Sequence, residues 1–370
     1  MKINCLKSEL TGAVAIVSKA IAGKPQTPIL SGIYLKAENG QLELQATNYE
    51  IGFISRIPAE IEEEGQVVVS GRYFQEMIRK LPADRIILTV NNDENTVHIQ
   101  SGPANFTLLR MNPAEFPVIH RLEGTLSFTT KDNILRTLIR KTVFACSKDE
   151  SRPVFTGCSL QFDHTKLTIA ATNTHRLAVR TETFDTEIGQ INVIVPGKFL
   201  NDLLHYMTSE IPTDVTVTCS LNQISFEFDN LYLTSRLIEG SFPNYQRVIP
   251  QNLPTSAVVD TQAFASAVDR VSLISRSGEY NIIRLQFADN QIHISSNNPE
   301  VGNAEESVQA SIEGPELNIA FNALYINDAL HVIESKQCRI GLDRPLSPVL
   351  IRDDGDPTFL YVATPVRTQN

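Results

Sequence analysis

The residues best placed to do chemistry are His175 and Arg176, which directly follow Ala171-Thr172-Asn173-Thr174. A histidine can act as a general base near neutrality, but only with a nucleophile or carboxylate held beside it. The spacing fixes no such partner, since the seven histidines are scattered singly. Packing or hydrogen bonding at a domain boundary therefore explains His175 better than catalysis does. Asp353, Asp354 and Asp356 crowd around Gly355. They could offer oxygens to a hard cation, yet acidic residues about a glycine read more simply as a turn. Cys5, Cys146, Cys158, Cys219 and Cys338 are odd in number and never spaced C-x-x-C. They are expected as reduced thiols rather than as a disulfide frame or a zinc site. Gly23-Lys24 and Gly197-Lys198 run into Pro25 and Phe199, so neither continues as a phosphate-binding loop. G-x-G-x-x-G, H-E-x-x-H and G-x-S-x-G are also missing. The chain is expected to be non-catalytic, with no metal and no cofactor.

The elements that position these residues repeat. The strand-like runs LQATN, IAATN and ISSNN end at Asn48, Asn173 and Asn298, each 125 positions from the last. Gly71-Arg72 and Gly197-Lys198 open helical patterns 126 apart, and Asn322-Ala323-Leu324 opens another 125 later. Glu115-Phe116-Pro117 and Ser241-Phe242-Pro243 again differ by 126. Three landmarks at one period predict three copies of one domain, 1–125, 126–253 and 254–370. Each copy restarts internally. In the first, a strand at the start precedes Leu10, Val14, Val17 and Ile21 at helical spacing, and period-two runs follow at 30–37, 41–46 and 51–57. The pattern then begins again at 66–69. The expected fold class is α+β, with β-α-β-β-β twice per domain and helices on one face of antiparallel sheets.

Net charge is −10 over 370 residues, which taken alone argues against nucleic acid. Its distribution points the other way. The expected helices 7–24, 70–81, 131–152, 196–209, 261–276 and 321–336 carry +2, +2, +3, 0, +1 and −1. Helices are thus basic overall, and strands with loops are strongly acidic. Arg72 and Arg79, like Arg136 and Arg140, share a helix face. Cations so arranged neutralise phosphates without reading sequence, although solvated helix faces would explain them as well. No apolar run approaches a membrane span, and MKINCLKSEL lacks the apolar core of a signal peptide, so a cytoplasmic location is expected.

Ala171-Thr172-Asn173-Thr174-His175-Arg176-Leu177-Ala178 and Gly240-Ser241-Phe242-Pro243-Asn244-Tyr245-Gln246-Arg247-Val248-Ile249-Pro250 resemble the bacterial β sliding clamps, the processivity subunits of DNA polymerase III. Asn297-Asn298-Pro299-Glu300 and Tyr361-Val362-Ala363-Thr364-Pro365-Val366-Arg367 are similar to the same family, and the likeness runs through the whole chain. The resemblance implies a head-to-tail homodimeric ring with helices lining a hole around double-stranded DNA and sheets outside. It implies sequence-independent sliding, a nucleoid-associated role, and tethering of the polymerase α subunit, clamp loader and repair polymerases. A separate loader would supply the ATP chemistry. DNA-facing positions carried over are Lys24, Arg72, Lys148, Arg152 and Lys198, followed by Arg79, Arg136, Arg140 and Arg270. Pro153-Val154 departs from the aromatics familiar after that arginine.

The family's partner cleft takes Q-L-x-L-F-like peptides. The matching positions are Phe155, Thr172, Thr174, His175, Arg176 and Leu177 from the middle repeat. Pro243, Arg247, Val248, Leu346, Val362, Thr364, Pro365, Val366 and Arg367 complete them. Thr174, Thr364 and the tail beyond Arg367 depart from the usual pattern. Ring closure maps to Phe106 and Leu108 on an edge strand and to Leu273 and Ile274 on a helix, with Glu300, Glu305 and Glu306 as the acidic half of its ion pairs. Pro103, Ala104 and Asn105 offer no basic half, so closure is expected to rest on apolar contact. The competing readings are a three-repeat protein–protein adaptor that never touches DNA, and a hydrolase using His175.

Overall fold

The computed structural model describes residues 1–23, 27–208, 210–276 and 281–367. Its helices are α1 Lys7–Val17, α2 Gly71–Lys80, α3 Asp132–Arg140, α4 Gly197–Leu204, α5 Thr261–Ser275 and α6 Ala323–Leu330. One strand precedes each helix and three follow it, so β-α-β-β-β occurs six times, with Glu60–Glu63 the single extra strand among the described residues. The chain divides into two compact units, Met1–Asp132 with Ser209–Leu237, and Asn133–Thr208 with Ile238–Asn370.

In the first unit a 13-stranded antiparallel sheet runs unbroken from the first repeat into part of the second. The seam pairs Leu231–Arg236 with Ile51–Pro58, Leu231 opposite Ser55 and Thr234 opposite Gly52. The second unit has a 12-stranded sheet with a matching seam. There Asp356–Ala363 pairs with Arg176–Thr183, Val362 opposite Leu177. One rule covers both seams: the last strand of one repeat pairs with the fourth of another. A third pair of that kind is unmatched. Strand Ala104–Met111 is paired by Thr96–Ser101 over residues 104–109 and meets Gly65–Ser70 only at Arg110 and Met111. Strand Gly302–Glu313 is paired by Gln291–Asn298 over 302–309 and by Thr255–Asp260 only from Ala310 on. Among the described residues, 104–109 and 302–309 each keep one open edge.

The repeated landmarks have physical causes. In the turn after Ala46, Thr47 donates its hydroxyl to the Ile51 carbonyl (2.7 Å) and accepts from the Tyr49 amide (3.1 Å), while Asn48 Oδ1 accepts from the Glu50 and Ile51 amides. Thr172 and Asn173 make the same four bonds to Arg176, Thr174 and His175. The glycines opening α2 and α4 sit where the chain packs tightly. A Cβ on Gly71 would lie 2.2 Å from Ile21 Cδ1, and one on Gly197 2.8 Å from Cys146 Sγ. On α2, Gly71, Phe74 and Ile78 are buried at helical spacing while Arg72, Arg79 and Lys80 stay exposed, and Pro82 stops the helix.

The helices are shorter than their sequence patterns predict. α1 passes into a 3-10 turn at Ser18–Ala20, and α3 ends at Arg140 rather than running to 152. Beyond Arg140, Thr142 leaves helical geometry at φ −129° and turns its hydroxyl back on the Leu138 and Ile139 carbonyls. Lys148 and Arg152 therefore stand on a loop. With these bounds the basic bias of the helices shrinks, and α2 carries its clearest excess. Lys24 lies outside the described residues.

Candidate functional site

The turn 172–177 opens the strand Arg176–Thr183 and delivers its side chains to a cleft of about 290 Å³ in the second unit. Leu177 and Val362 form adjacent walls because they face each other across the seam. Phe155, Pro243 and Val248 supply further apolar surface, and Thr172, Thr174, His175 and Thr364 polar edges. Thr364 ties the last strand over the turn, its amide and hydroxyl both donating to the His175 carbonyl (2.9 and 2.8 Å). The cleft also uses Asn244, Tyr245 and Pro348, which sequence reasoning missed. Asn244 and Tyr245 stand within the quoted Pro243–Val248 stretch, and Tyr245 donates to Gln161 Oε1 at 3.1 Å from the sheet below. Arg247, Leu346, Pro365, Val366 and Arg367 are not among the cleft's lining. Leu346, Val366 and Arg367 line a neighbouring chamber of about 690 Å³.

Two buried cations in this unit are held by ion pairs, Arg176 in the cleft's lining and Lys141 away from it. Arg176 is only 8% exposed: Nη1 meets Asp328 Oδ2 at 2.5 Å, Nη2 donates to the Phe144 carbonyl, and the guanidinium lies 4.8 Å from the Tyr325 ring centre. It thus packs and positions rather than presenting a free cation. His175 is exposed, its ring stacked on Tyr325 with centres 6.3 Å apart. Lys141, which sequence patterning leaves undistinguished, is buried between Asp353 Oδ2 (2.9 Å) and Asp356 Oδ2 (2.8 Å), and Arg180 Nε reaches Asp356 at 3.0 Å. The acidic turn expected at 353–356 is therefore partly a buried ion network. Burial pushes the Asp356 carboxyl up, but bonds from Lys141, Thr358 and Arg180 outweigh it and hold the group well below the usual carboxylate range. Asp353 is lowered in the same way, burial opposing and Ser335 and Lys141 prevailing.

The thiols are free. Burial pushes Cys5, Cys219 and Cys338 each up to about 12, which makes them poor nucleophiles. Among the described residues no three His, Cys, Asp or Glu side chains gather as a metal site.

The cations expected to face DNA fall into two groups. Arg72 is 81% exposed with only a long contact to Glu76 (3.8 Å), and Arg79, Lys148 and Lys198 are exposed with no ion partner among the described residues. The others are engaged. Arg136 donates to the Met207 carbonyl, Arg140 pairs with Glu334, and Arg152 pairs with Asp149 (3.1 Å) while lying over the Phe155 ring. Arg270 is clamped by Glu306 through two bonds of 2.5 and 2.9 Å. Arg270, expected to face DNA, and Glu306, expected at ring closure, are thus each other's partner within this chain.

Sequence comparison places three DNA polymerase III beta subunit domains end to end: the N-terminal domain at residues 1–120, the central domain at 129–244 and the C-terminal domain at 246–367. The β sliding clamp of Bacillus subtilis (strain 168) is 35% identical over the full length of both chains. The chain belongs to the bacterial β sliding clamp family. A crystal structure of the DNA polymerase sliding clamp from Bacillus subtilis matches the whole fold with a TM-score of 0.94 at 34% identity, covering all of both chains. The Pseudomonas aeruginosa clamp bound to griselimycin matches at 0.93 and 30%, again over all of both chains. Family membership gives the function class: a DNA sliding clamp of three clamp domains, a processivity subunit and not an enzyme.

In such a clamp the remaining expected positions are those of ring closure. Phe106 is 41% exposed on the open edge 104–109, and Leu108 is half-buried beside it. Leu109, on the opposite face, is 75% exposed and was not expected. Leu273 is 57% exposed on α5 and Ile274 is half-buried. Glu300 and Glu305 are exposed, Glu305 on the open edge 302–309.

Proposed function

We propose that two copies of this chain close head to tail into a ring, strand 104–109 of each pairing with strand 302–309 of the other. The observation that carries this is the unmatched pair of open edges. Their repeat equivalents, Leu231–Arg236 with Ile51–Pro58 and Asp356–Ala363 with Arg176–Thr183, are already zipped within the chain. Open edges in a soluble protein are places where another strand adds. Domain boundaries at 1–125, 126–253 and 254–370 would then give six domains around the hole. Phe106, Leu108, Leu273 and Ile274 bury apolar surface at the joint. With Glu306 occupied by Arg270, closure rests on the ladder and those side chains more than on ion pairs.

Duplex DNA occupies the hole. Arg72, Arg79, Lys148 and Lys198 contact phosphate only, because a clamp that slides cannot hold base edges. The cleft takes the apolar anchors of Q-L-x-L-F-like peptides from the polymerase α subunit, the clamp loader and repair polymerases. Leu177, Val362, Pro243 and Val248 receive Leu and Phe, and the polar edge fixes the peptide backbone. No helix of the described residues is long and apolar enough to cross a membrane. The clamp works on the nucleoid in the cytoplasm.

The test is sedimentation equilibrium with a circular-DNA retention assay. A dimer is expected whose dissociation changes little from low to high salt and which stays on nicked circles but leaves linearised DNA. Phe106→Asp should give monomers that no longer stay. A wild-type chain monomeric at all concentrations, or one retained equally on linear DNA, overturns the ring.

A further inference from the structure

We propose that the partner site does not end at the apolar cleft: it continues into the neighbouring chamber, which receives an acidic stretch flanking the partner's apolar anchors. This rests on the peptide reading of the cleft. Two chain segments contribute to both cavities. The loop 345–348 gives Pro348 to the cleft and Pro345 with Leu346 to the chamber. The final segment gives Val362 and Thr364 to the cleft, then Val366 and Arg367 to the chamber. That segment is pinned on both sides, by Thr364 to the His175 carbonyl and by the Val366 amide to the Ala320 carbonyl (2.8 Å). A chain lying along that segment would have one cavity on each side of Pro365.

The chamber's chemistry selects the occupant. At about 690 Å³ it is more than twice the cleft's 290 Å³, so it holds several residues. Among the described residues its lining includes Arg284, Arg367 and His293 and no carboxylate, although the whole chain carries −10. Neither Arg284 nor Arg367 has an ion partner among the described residues. Arg284 projects from strand Ile282–Ala288 on its exposed face, between the buried Ile283 and Leu285, so its cation is offered to whatever lies over the sheet. Gln286, Ser295 and Asn318 add neutral hydrogen-bonding groups. Planar guanidiniums in a groove free of anions recognise carboxylates, in pairs where geometry allows. An apolar segment gains nothing there, and a basic one is repelled.

The experiment measures binding of labelled synthetic peptides to the full-length clamp by fluorescence anisotropy at low salt. The core Gln-Leu-Ser-Leu-Phe peptide is compared with versions carrying three Asp or three Asn residues at either end. One Asp-extended version is expected to bind about three- to tenfold more tightly than its Asn counterpart, as one or two partly exposed ion pairs allow. The gain should fade with added salt. Arg284→Gln should leave the core peptide's affinity unchanged and abolish the Asp gain. Equal affinity of Asp and Asn versions, or a gain that survives Arg284→Gln, overturns the extension while leaving the cleft intact. Failure of the core peptide to bind at all overturns both readings. An Asp-extended peptide with scrambled core that binds as well as the intact one makes the chamber an independent anion site, and also overturns the proposal.

Discussion

The turns 47–52 and 172–177 share one backbone and differ in nearly everything they present. Thr and Asn make the same four hydrogen bonds in each, and the strand that follows joins a seam in the same register. Yet where the second unit sets Leu177 against Val362, the first sets Gly52 against Thr234. Ile119, 126 positions before Tyr245, fills the space beside Gly52, whose Cβ would lie 2.9 Å from Ile119 Cδ1. The hollow left in the first unit keeps apolar residues such as Ile51, Val118, Ile119 and Leu122, but it also carries the charged groups Glu50, Arg121 and Glu123, where among the described residues the cleft's lining has Arg176 alone. Repetition supplies the scaffold, and a few side-chain identities decide what the hollow beside each turn presents. The seams differ beneath the surface too: Ile16 and Ser55 stand 125 positions before Lys141 and Arg180, so the first unit has no counterpart of the buried ion network.

The largest effect should come from breaking that network. Lys141→Met leaves Asp353 and Asp356 without their buried cation and should destabilise the second unit by about 3–5 kcal/mol. Urea unfolding followed by hydrogen exchange would show the loss there and leave the first unit unchanged. Adding Asp353→Ser and Asp356→Leu should restore much of it, since a well-packed apolar seam can replace an ion triad. The pH dependence follows from the carboxyls' lowered pKa values. Their contribution is complete above the ordinary carboxylate range and is lost as pH falls through that range and below it. If Lys141→Met were as stable as wild type, the network would be ornament and the seams equivalent.

Next in size is the cleft itself. Giving the second unit the first unit's residue, Val362→Thr, exchanges a methyl for a hydroxyl at nearly constant volume in the apolar wall. Together with Leu177→Ala, which removes most of a buried side chain, it should weaken the core peptide by at least about tenfold, the value of roughly 1.5–3 kcal/mol of apolar contact. Isothermal titration against wild type measures it. Unchanged affinity would mean that the peptide lies elsewhere and that the difference between the two hollows has no bearing on partners.

Much of this arrangement is legible in the sequence, because it is local. The Thr-Asn turn, the glycines at Gly71 and Gly197, and six rounds of β-α-β-β-β all follow from spacing within a few residues. What escaped is long-range. Lys141 meets carboxylates 212 and 215 residues away, and no periodicity marks it. Arg270 and Glu306, 36 apart, looked like two separate surface charges and are one clamp. The overlong α3 had a different cause: its charged, polar tail fits helical composition, but Thr142 bonds back to the preceding turn and ends it. Tyr245 was hidden among neighbours that all look like cleft residues, although its hydroxyl reaches strand Gly157–Asp163.

The smallest effect tests the shared turn. Tyr49 and Thr174 occupy its third position with φ of 72° and 77°, in the left-handed region. L-residues pay about 1–2 kcal/mol there, and a β-branched residue stands at the high end. Glycine removes that strain but gives the unfolded chain about 0.4–1 kcal/mol of extra entropy. Thr174→Gly should therefore stabilise the second unit by about 1–1.5 kcal/mol, the difference between these terms. Tyr49→Gly should change the first unit by nearly nothing, since tyrosine is not branched at Cβ and its ring is half exposed. Paired denaturation curves resolve the two. A Thr174→Gly chain less stable than wild type would mean that the threonine methyl packs against the turn firmly enough to outweigh the strain, and that the side chain on the cleft side was kept for stability and not for what it presents to a partner.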